Sequence, residues 1–288
     1  MRGGQGAADA ALQAYDVRGY ARRRNNVWPV TTRGASRLSP YIRHGLLTLR
    51  EVWDHVAAGP QEDVRKFRDE LLWQEYARHL YARMGTASRR SLRFTVDERA
   101  TEDARTANPW SSPALCLESA WTELVNGGWM TNQTRMWLAS HWSVRAGLGW
   151  RDGEDLMYRH LLDGSRAANR LGWQWTVGAL TGKAYGFSRW QVEKRAPGLC
   201  AQCPLEQTCP IADWPVAQER DPRAVTDPRL NRDDDLEATA GPVAAQQSGE
   251  PEAVWITAES LSDRDPAGAA HPDPVSYTHL TLPTTPYV

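Results

Sequence analysis

Across the first 215 positions, apolar residues recur three and four apart and scarcely anywhere alternate, so a chain of this pattern can bury them only as helices. Leu46, Leu49, Trp53 and Val56 mark one such stripe, Leu71, Leu72, Tyr76, His79 and Leu80 a second, and Leu117, Trp121, Leu124 and Val125 a third. Boundary signals agree: Ser39 followed by Pro40 reads as a helix N-cap with proline in the first turn, and Gly127 with Gly128 ends the helix after Val125. The expected fold class is all-α, with no internal repeat. No GxGxxG or P-loop is present, which removes the usual dinucleotide and nucleoside-triphosphate sites. No apolar run approaches a membrane span, and the opening MRGGQGAADAALQAYDV lacks the basic-then-apolar layout of a signal peptide. A cytoplasmic monomer is expected.

Charge divides the chain in two. Residues 1–215 hold 29 Lys and Arg against 22 Asp and Glu, whereas residues 216–288 hold 5 against 13, and 13 of the 14 tryptophans lie in the basic part. Aromatic burial and stacking chemistry belong there. The expected organisation is an N-terminal segment (1–19), one helical domain (20–215) and a disordered acidic tail (216–288) rich in Pro, Asp, Ala and Gln. The last stretch, VSYTHLTLPTTPYV from Val275, resembles translated sequencing-adapter sequence and is set aside as non-native.

Two hydroxyls and a guanidinium stand at a helix start in Ser36-Arg37-Leu38-Ser39-Pro40-Tyr41. With free backbone N–H groups they suit an anion such as a pyrophosphate, although a plain helix cap with a surface Arg explains the same residues. Further on come Leu72-Trp73-Gln74-Glu75-Tyr76-Ala77-Arg78-His79, then Gly128-Trp129-Met130-Thr131-Asn132-Gln133-Thr134-Arg135-Met136, then Asp163-Gly164-Ser165-Arg166-Ala167-Ala168-Asn169, leading into Trp173-Gln174-Trp175. In this order the blocks resemble the FAD-binding domain of the photolyase and cryptochrome family over roughly residues 20–190, and several ordered motifs are far more specific than one.

The resemblance implies FAD as cofactor and assigns residues to it. Tyr20 and Arg24 match positions just before the phosphate clamp, and Ser36, Arg37, Leu38 and Ser39 match the clamp, with Ala35 in place of a usual hydroxyl. Arg135 and Asp163 match an ion pair beside the isoalloxazine ring, and Asn169 the amide facing flavin N5, which can present either oxygen or nitrogen there. Trp173 and Trp150 match the inner and middle members of a tryptophan electron relay; Trp110 is a loose candidate for the outer one. On the substrate side, Glu70, Trp73 and Gln74 share one helix face, as do Asn132, Arg135 and Met136. Trp73 and Trp175 match aromatics that stack on a flipped-out cyclobutane pyrimidine dimer, and Glu70 the carboxyl that hydrogen-bonds it. Core packing is the alternative for both tryptophans. Gln74 and Gln133 stand where the dimer-repairing enzymes have Arg, which implies a weaker grip on DNA and a preference for single strands.

Cys200-x2-Cys203-x5-Cys209-Pro210 places three thiols within ten residues, with Cys116 the only other cysteine. Spacing alone leaves zinc and an iron-sulfur cluster even. A branch of the family carries a four-iron four-sulfur (4Fe-4S) cluster on cysteines in these places, so the resemblance implies that cluster, with zinc as the alternative. It also implies that no N-terminal α/β antenna domain is present. The expected function is light-dependent repair of UV-damaged DNA by a deoxyribodipyrimidine photo-lyase; the alternative is a cryptochrome-like signalling or redox flavoprotein.

Overall fold

The computed structural model describes residues 2–96, 109–214 and 257–265, and among these every α or β element is a helix. In chain order they are α1 (Gln5–Ala14), α2 (Tyr20–Arg23), α3 (Ser39–Arg43), α4 (Leu49–His55), α5 (Gln61–Met84), α6 (Leu115–Gly127), α7 (Asn132–Ser140), α8 (Trp150–His160), α9 (Arg166–Val177) and α10 (Arg189–Arg195). A π-helical turn, His141–Arg145, continues α7. Among the described residues, no helix is long and apolar enough to cross a membrane.

Local chemistry sets the helix ends. Thr48 and Glu51 form a reciprocal capping box, Glu51 N–H donating to Thr48 Oγ1 (3.1 Å) and Thr48 N–H to Glu51 Oε2 (2.7 Å), so α4 starts after Leu46 instead of including it. Gly128 ends α6 in the left-handed region (φ +63°), and a Cβ there would lie 2.4 Å from the Leu162 side chain, so both backbone and packing require glycine. The expectation for Ser39 needs correction. Leu38 holds the N-cap position of α3 without a side-chain cap, and the Ser39 hydroxyl turns away to Asp163. The hydroxyl instead donates a charge-assisted hydrogen bond to a buried carboxylate, stronger than the neutral bond it would accept as a cap.

Two buried clusters result. One joins α1, α3, α4 and α5 through Ala8, Leu38, Leu47, Val52, Phe67 and Leu71; α1, which precedes the expected domain start, is part of it. The other is rich in tryptophan, with Trp110, Trp137, Trp142, Trp150 and Trp173 all buried. Helix α9 packs against α5, α7 and α8 and ties the halves together. Within the acidic tail, residues 257–265 lie on the N-terminal helices. Leu261 N–H donates to His44 O (3.2 Å), Ser262 Oγ to Gln5 Oε1 (3.0 Å), Glu259 pairs with Arg43, and Arg264 bridges Asp9 and Glu51. These contacts are polar and long-range, so no apolar period announces them. The rest of the tail, including the stretch from Val275, lies outside the described residues.

Candidate functional site

The N-terminal part of the site is set by a carboxylate far along the chain. Asp63 on α5 accepts from Gly19 N–H (2.7 Å) and Ala21 N–H (2.8 Å), capping α2 from outside. Tyr20 is thereby held edge-on to Phe67 (4.8 Å between ring centres), and Arg24 beside Glu70 (3.1 Å). Burial raises the Tyr20 hydroxyl well above its ordinary pKa, and the Glu70 charge adds to that. Arg33 fixes the following loop, donating to Val27 O (2.7 Å) and pairing with Glu123 (2.5 Å).

The loop then turns through Arg37 in the left-handed region (φ +58°), an uncommon conformation for a residue with a Cβ. Ser36 Oγ accepts from Leu38 N–H (3.3 Å), and Leu38 is fully buried beneath. The Arg37 guanidinium lies over the Trp129 ring, 4.9 Å from its centre, and among the described residues it has no carboxylate partner. Trp129 Nε1–H donates to Ser39 Oγ (3.0 Å), which donates to Asp163 Oδ2 (2.6 Å). Arg135 Nη2 reaches both oxygens of Asp163 (2.8 and 2.7 Å), and the Asp163 side chain is only 4% exposed. The start of α3, the middle of α7 and the loop after α8 therefore meet at one carboxylate. Asp163 caps nothing; Ser165 caps α9.

On α9, Asn169 is buried and its Nδ2 donates to Glu154 O (3.1 Å) and Oε1 (3.0 Å), an amide orientation assigned from the network. Glu154, itself buried, pairs with Arg166 (3.1 Å) and Arg170 (3.6 Å). One turn on, Trp173 is buried with its ring centre 6.2 Å from Trp110, and Trp110 stands 5.2 Å from the partly buried Trp121 and 5.0 Å from Trp142. Trp150 belongs to the same cluster. Among the described residues neither Trp150 Nε1 nor Trp173 Nε1 has a hydrogen-bond partner.

The residues matched to the substrate side lie on α5, α7 and α9. Trp73 is 62% exposed and Trp175 41%, so neither is a core aromatic. Trp73 meets Tyr76 edge-on (5.6 Å) and Trp175 lies 5.4 Å from Tyr185. Glu70 is held by Arg24 and by Lys66 (3.0 Å), and Gln74 is half-buried. Asn132 is exposed, its Nδ2 3.6 Å from Met136 Sδ. Gln133 is buried and donates to Tyr185 Oη (3.2 Å), so its amide faces the protein.

All four cysteines line one cavity with Leu115, Leu199 and Ile211, and none is in a disulfide. Leu115 N–H points at Cys203 Sγ (3.4 Å). Burial, reinforced by the neighbouring sulfurs, pushes the Cys116 thiol up to about 12, and burial followed by the Glu193 charge pushes Cys200 up to about 11. Arg145 braces the segment, donating to Pro210 O (3.1 Å), Phe187 O (3.1 Å) and Asp213 O (2.8 Å). Among the described residues, no three of His, Cys, Asp and Glu are gathered around a single-ion position. The thiols surround a space instead.

Residues 67–195, from within α5 to the end of α10, match the family described as the FAD binding domain of DNA photolyase. Over that span the chain is similar to the FAD-binding domain of photolyases. Tyr20, Arg24 and residues 36–39, which the resemblance assigns to the phosphate clamp and the positions before it, precede the matched span. The chain is 30% identical over 195 residues to a deoxyribodipyrimidine photo-lyase of Synechococcus sp., covering 60% of this chain and 38% of that protein. It is 34% identical over 189 residues to one of Thermus thermophilus, covering 61% and 43%. It thus spans about two fifths of the length of these relatives. The fold is similar to that of a Synechocystis cryptochrome (TM-score 0.60, 21% identity, 68% of this chain and 44% of that one). It is also similar to that of a class III photolyase from Agrobacterium tumefaciens (TM-score 0.58, 23% identity, 66% and 42%).

Sequence reasoning misses Trp129, Glu154 and Asp63 as organisers of this network. Trp129 is visible as the aromatic of the Gly128–Met136 block. Glu154 and Asp63 carry no local signal, because each acts on residues 12 or more positions away.

Proposed function

We propose that the chain is a light-driven lyase that splits cyclobutane pyrimidine dimers in DNA, with FAD held between the start of α3, α7 and α9. The observation that carries this reading is the Trp129–Ser39–Asp163–Arg135 network, which ties the clamp loop to the matched FAD-binding domain. Residues 20–215 would form the working unit, with α1 packed into its first core cluster and residues 257–265 lying on α1, α3 and α4. Reduced FAD, when bound and excited by blue or near-UV light, supplies one electron to the dimer and recovers it after the ring has split, so no net redox change results.

The chain's own residues do the rest. Ser36, Arg37, Leu38 and Ser39 would hold the pyrophosphate, since among the described residues the Arg37 guanidinium has no carboxylate and Arg24 Nε, a buried donor, has no partner. Asp163 would fix Arg135 against the ring system. Asn169 would direct its oxygen at N5, since Glu154 takes the amide protons. Trp73 and Trp175 would stack on the extruded lesion, and Glu70, aimed by Arg24 and Lys66, would accept its hydrogen bonds alongside Gln74, Asn132 and Met136. Trp173 with Trp150 would relay electrons from a reductant in solution to the flavin, and the 6.2 Å spacing to Trp110 supports a second branch through Trp121.

Cys116, Cys200, Cys203 and Cys209 would hold a 4Fe-4S cluster. Zinc at about 2.3 Å from each sulfur needs tightly gathered thiols, so four thiols around a shared cavity suit a larger group better. Single-stranded DNA is the favoured substrate, because Gln133 is spent on Tyr185 and offers the duplex no cation. That same observation favours the second reading, a cryptochrome-like flavoprotein without repair. The deciding experiment illuminates the reduced protein anaerobically with dimer-containing oligothymidine and follows thymine-band absorbance. Recovery in light alone is expected; none on single or double strands, from a flavin-loaded protein, refutes the lyase.

A further inference from the structure

Helix α10 carries a large aromatic that neither the core nor the proposed lesion face uses. Trp190 is 59% exposed, and Lys194, four residues on, places its ammonium 4.8 Å from the ring centre. Gln133, Met136 and Tyr185 stand opposite, and together with Trp190, Lys194 and Arg195 they line a cavity of about 260 Å³. Glu193, the acid on the same helix, is engaged by Arg189 (2.7 Å). The cavity therefore has a flat aromatic wall, two cations, a hydroxyl and a thioether.

It is also continuous with the proposed lesion face. Met136 belongs to both, and Tyr185, on the cavity wall, lies 5.4 Å from Trp175. A strand whose dimer stacks at Trp175 would place its next nucleotide here. Stacking on an aromatic with a cation beside the backbone is how single strands are held without sequence preference. We infer that this cavity is a second nucleotide subsite: it takes one undamaged nucleotide adjoining the dimer, base against Trp190 and phosphate at Lys194 and Arg195. These two cations take over the phosphate binding that Gln74 and Gln133 do not provide.

The inference rests on the lyase reading for the position of the dimer, and the test separates the two. Affinities of the flavin-loaded protein are measured by competition for the isolated dinucleotide dimer, a single-stranded hexamer containing it, and undamaged hexathymidylate. The hexamer should bind more tightly than the dinucleotide. Trp190→Ala should weaken both hexamers roughly 5- to 150-fold and leave the dinucleotide unchanged, with Trp190→Phe restoring most of the affinity. Lys194→Ala should flatten the salt dependence by about 0.7 of a log unit per log unit of salt for each phosphate it no longer neutralises. Equal affinity for hexamer and dinucleotide, or a Trp190→Ala effect that is absent or equal on all three ligands, overturns the subsite. A Trp190-dependent grip on hexamers from a protein that repairs nothing leaves the subsite standing and fails the lyase.

Discussion

Replacing Asp163 by alanine removes the acceptor at which three parts of the chain meet. The carboxylate takes two N–H bonds from Arg135 and one O–H bond from Ser39, and its side chain is 4% exposed against 24% for Arg135. Breaking a fully buried pair by removing one partner costs about 3–5 kcal/mol. The charge left behind is Arg135, which water reaches in part, so the loss should fall to about 2–4 kcal/mol, still more than one ordinary hydrogen bond. Asp163→Asn keeps one acceptor oxygen and should lose roughly half as much. Urea unfolding of the flavin-free protein reads this directly, because bound FAD would add its own stabilisation. In parallel, the flavin-to-protein absorbance ratio of purified Asp163→Ala should drop. Stability of Asp163→Ala within about 0.5 kcal/mol of the parent protein, the size of an ordinary surface substitution, with full flavin occupancy, would refute the network as the organiser of the site.

Burial, with the Arg145 charge adding, depresses His141 from 6.5 to about 4. The unfolded chain then binds the proton first, so His141 contributes its full share of stability above pH 6.5 and loses it as pH falls towards 4, a change of about 3 kcal/mol. His141→Gln should flatten unfolding free energy over that window, and an unchanged slope would contradict the burial argument. Cys116→Ala should abolish bound iron and sulfide together, measured by colorimetric assay of anaerobically purified protein; retained zinc with no iron would point to the other metal. Trp110 is fully buried and donates from Nε1 to Leu138 O (2.8 Å), so Trp110→Ala should cost about 3–5 kcal/mol by urea titration. Trp110→Phe should slow light-driven flavin reduction while leaving dimer affinity unchanged.

Much of the helical frame is legible in the sequence because its signals are local. The stripes through Leu71 and through Leu117 and Leu124 lie on α5 and α6, although Leu72, Tyr76 and Val125 among them face solvent, and the two glycines after Val125 stop α6. Ser39 departs from its expected role for the opposite reason: its partner, Asp163, is 124 positions away, and no local pattern reveals that a hydroxyl prefers a distant buried carboxylate. Asp63 capping α2 and residues 257–265 lying on α1, α3 and α4 are illegible for the same cause. At the site, the pair of Arg135 and Asp163 is the one the family resemblance implies. The engagement of Gln133 by Tyr185 and of Glu70 by Arg24 is not legible, since these depend on how α2, α5, α7 and the loop after α9 are placed, whereas Lys66 and Glu70 are an i,i+4 pair on α5.

The central claim is a cycle in which the electron lent to the dimer returns. Counting dimers split per bound FAD, anaerobically and without added reductant after an initial reduction, tests it most directly. Many dimers per flavin, with the reduced-flavin spectrum unchanged at the end, is the predicted result. One dimer or fewer per flavin, with matching flavin oxidation, would contradict it.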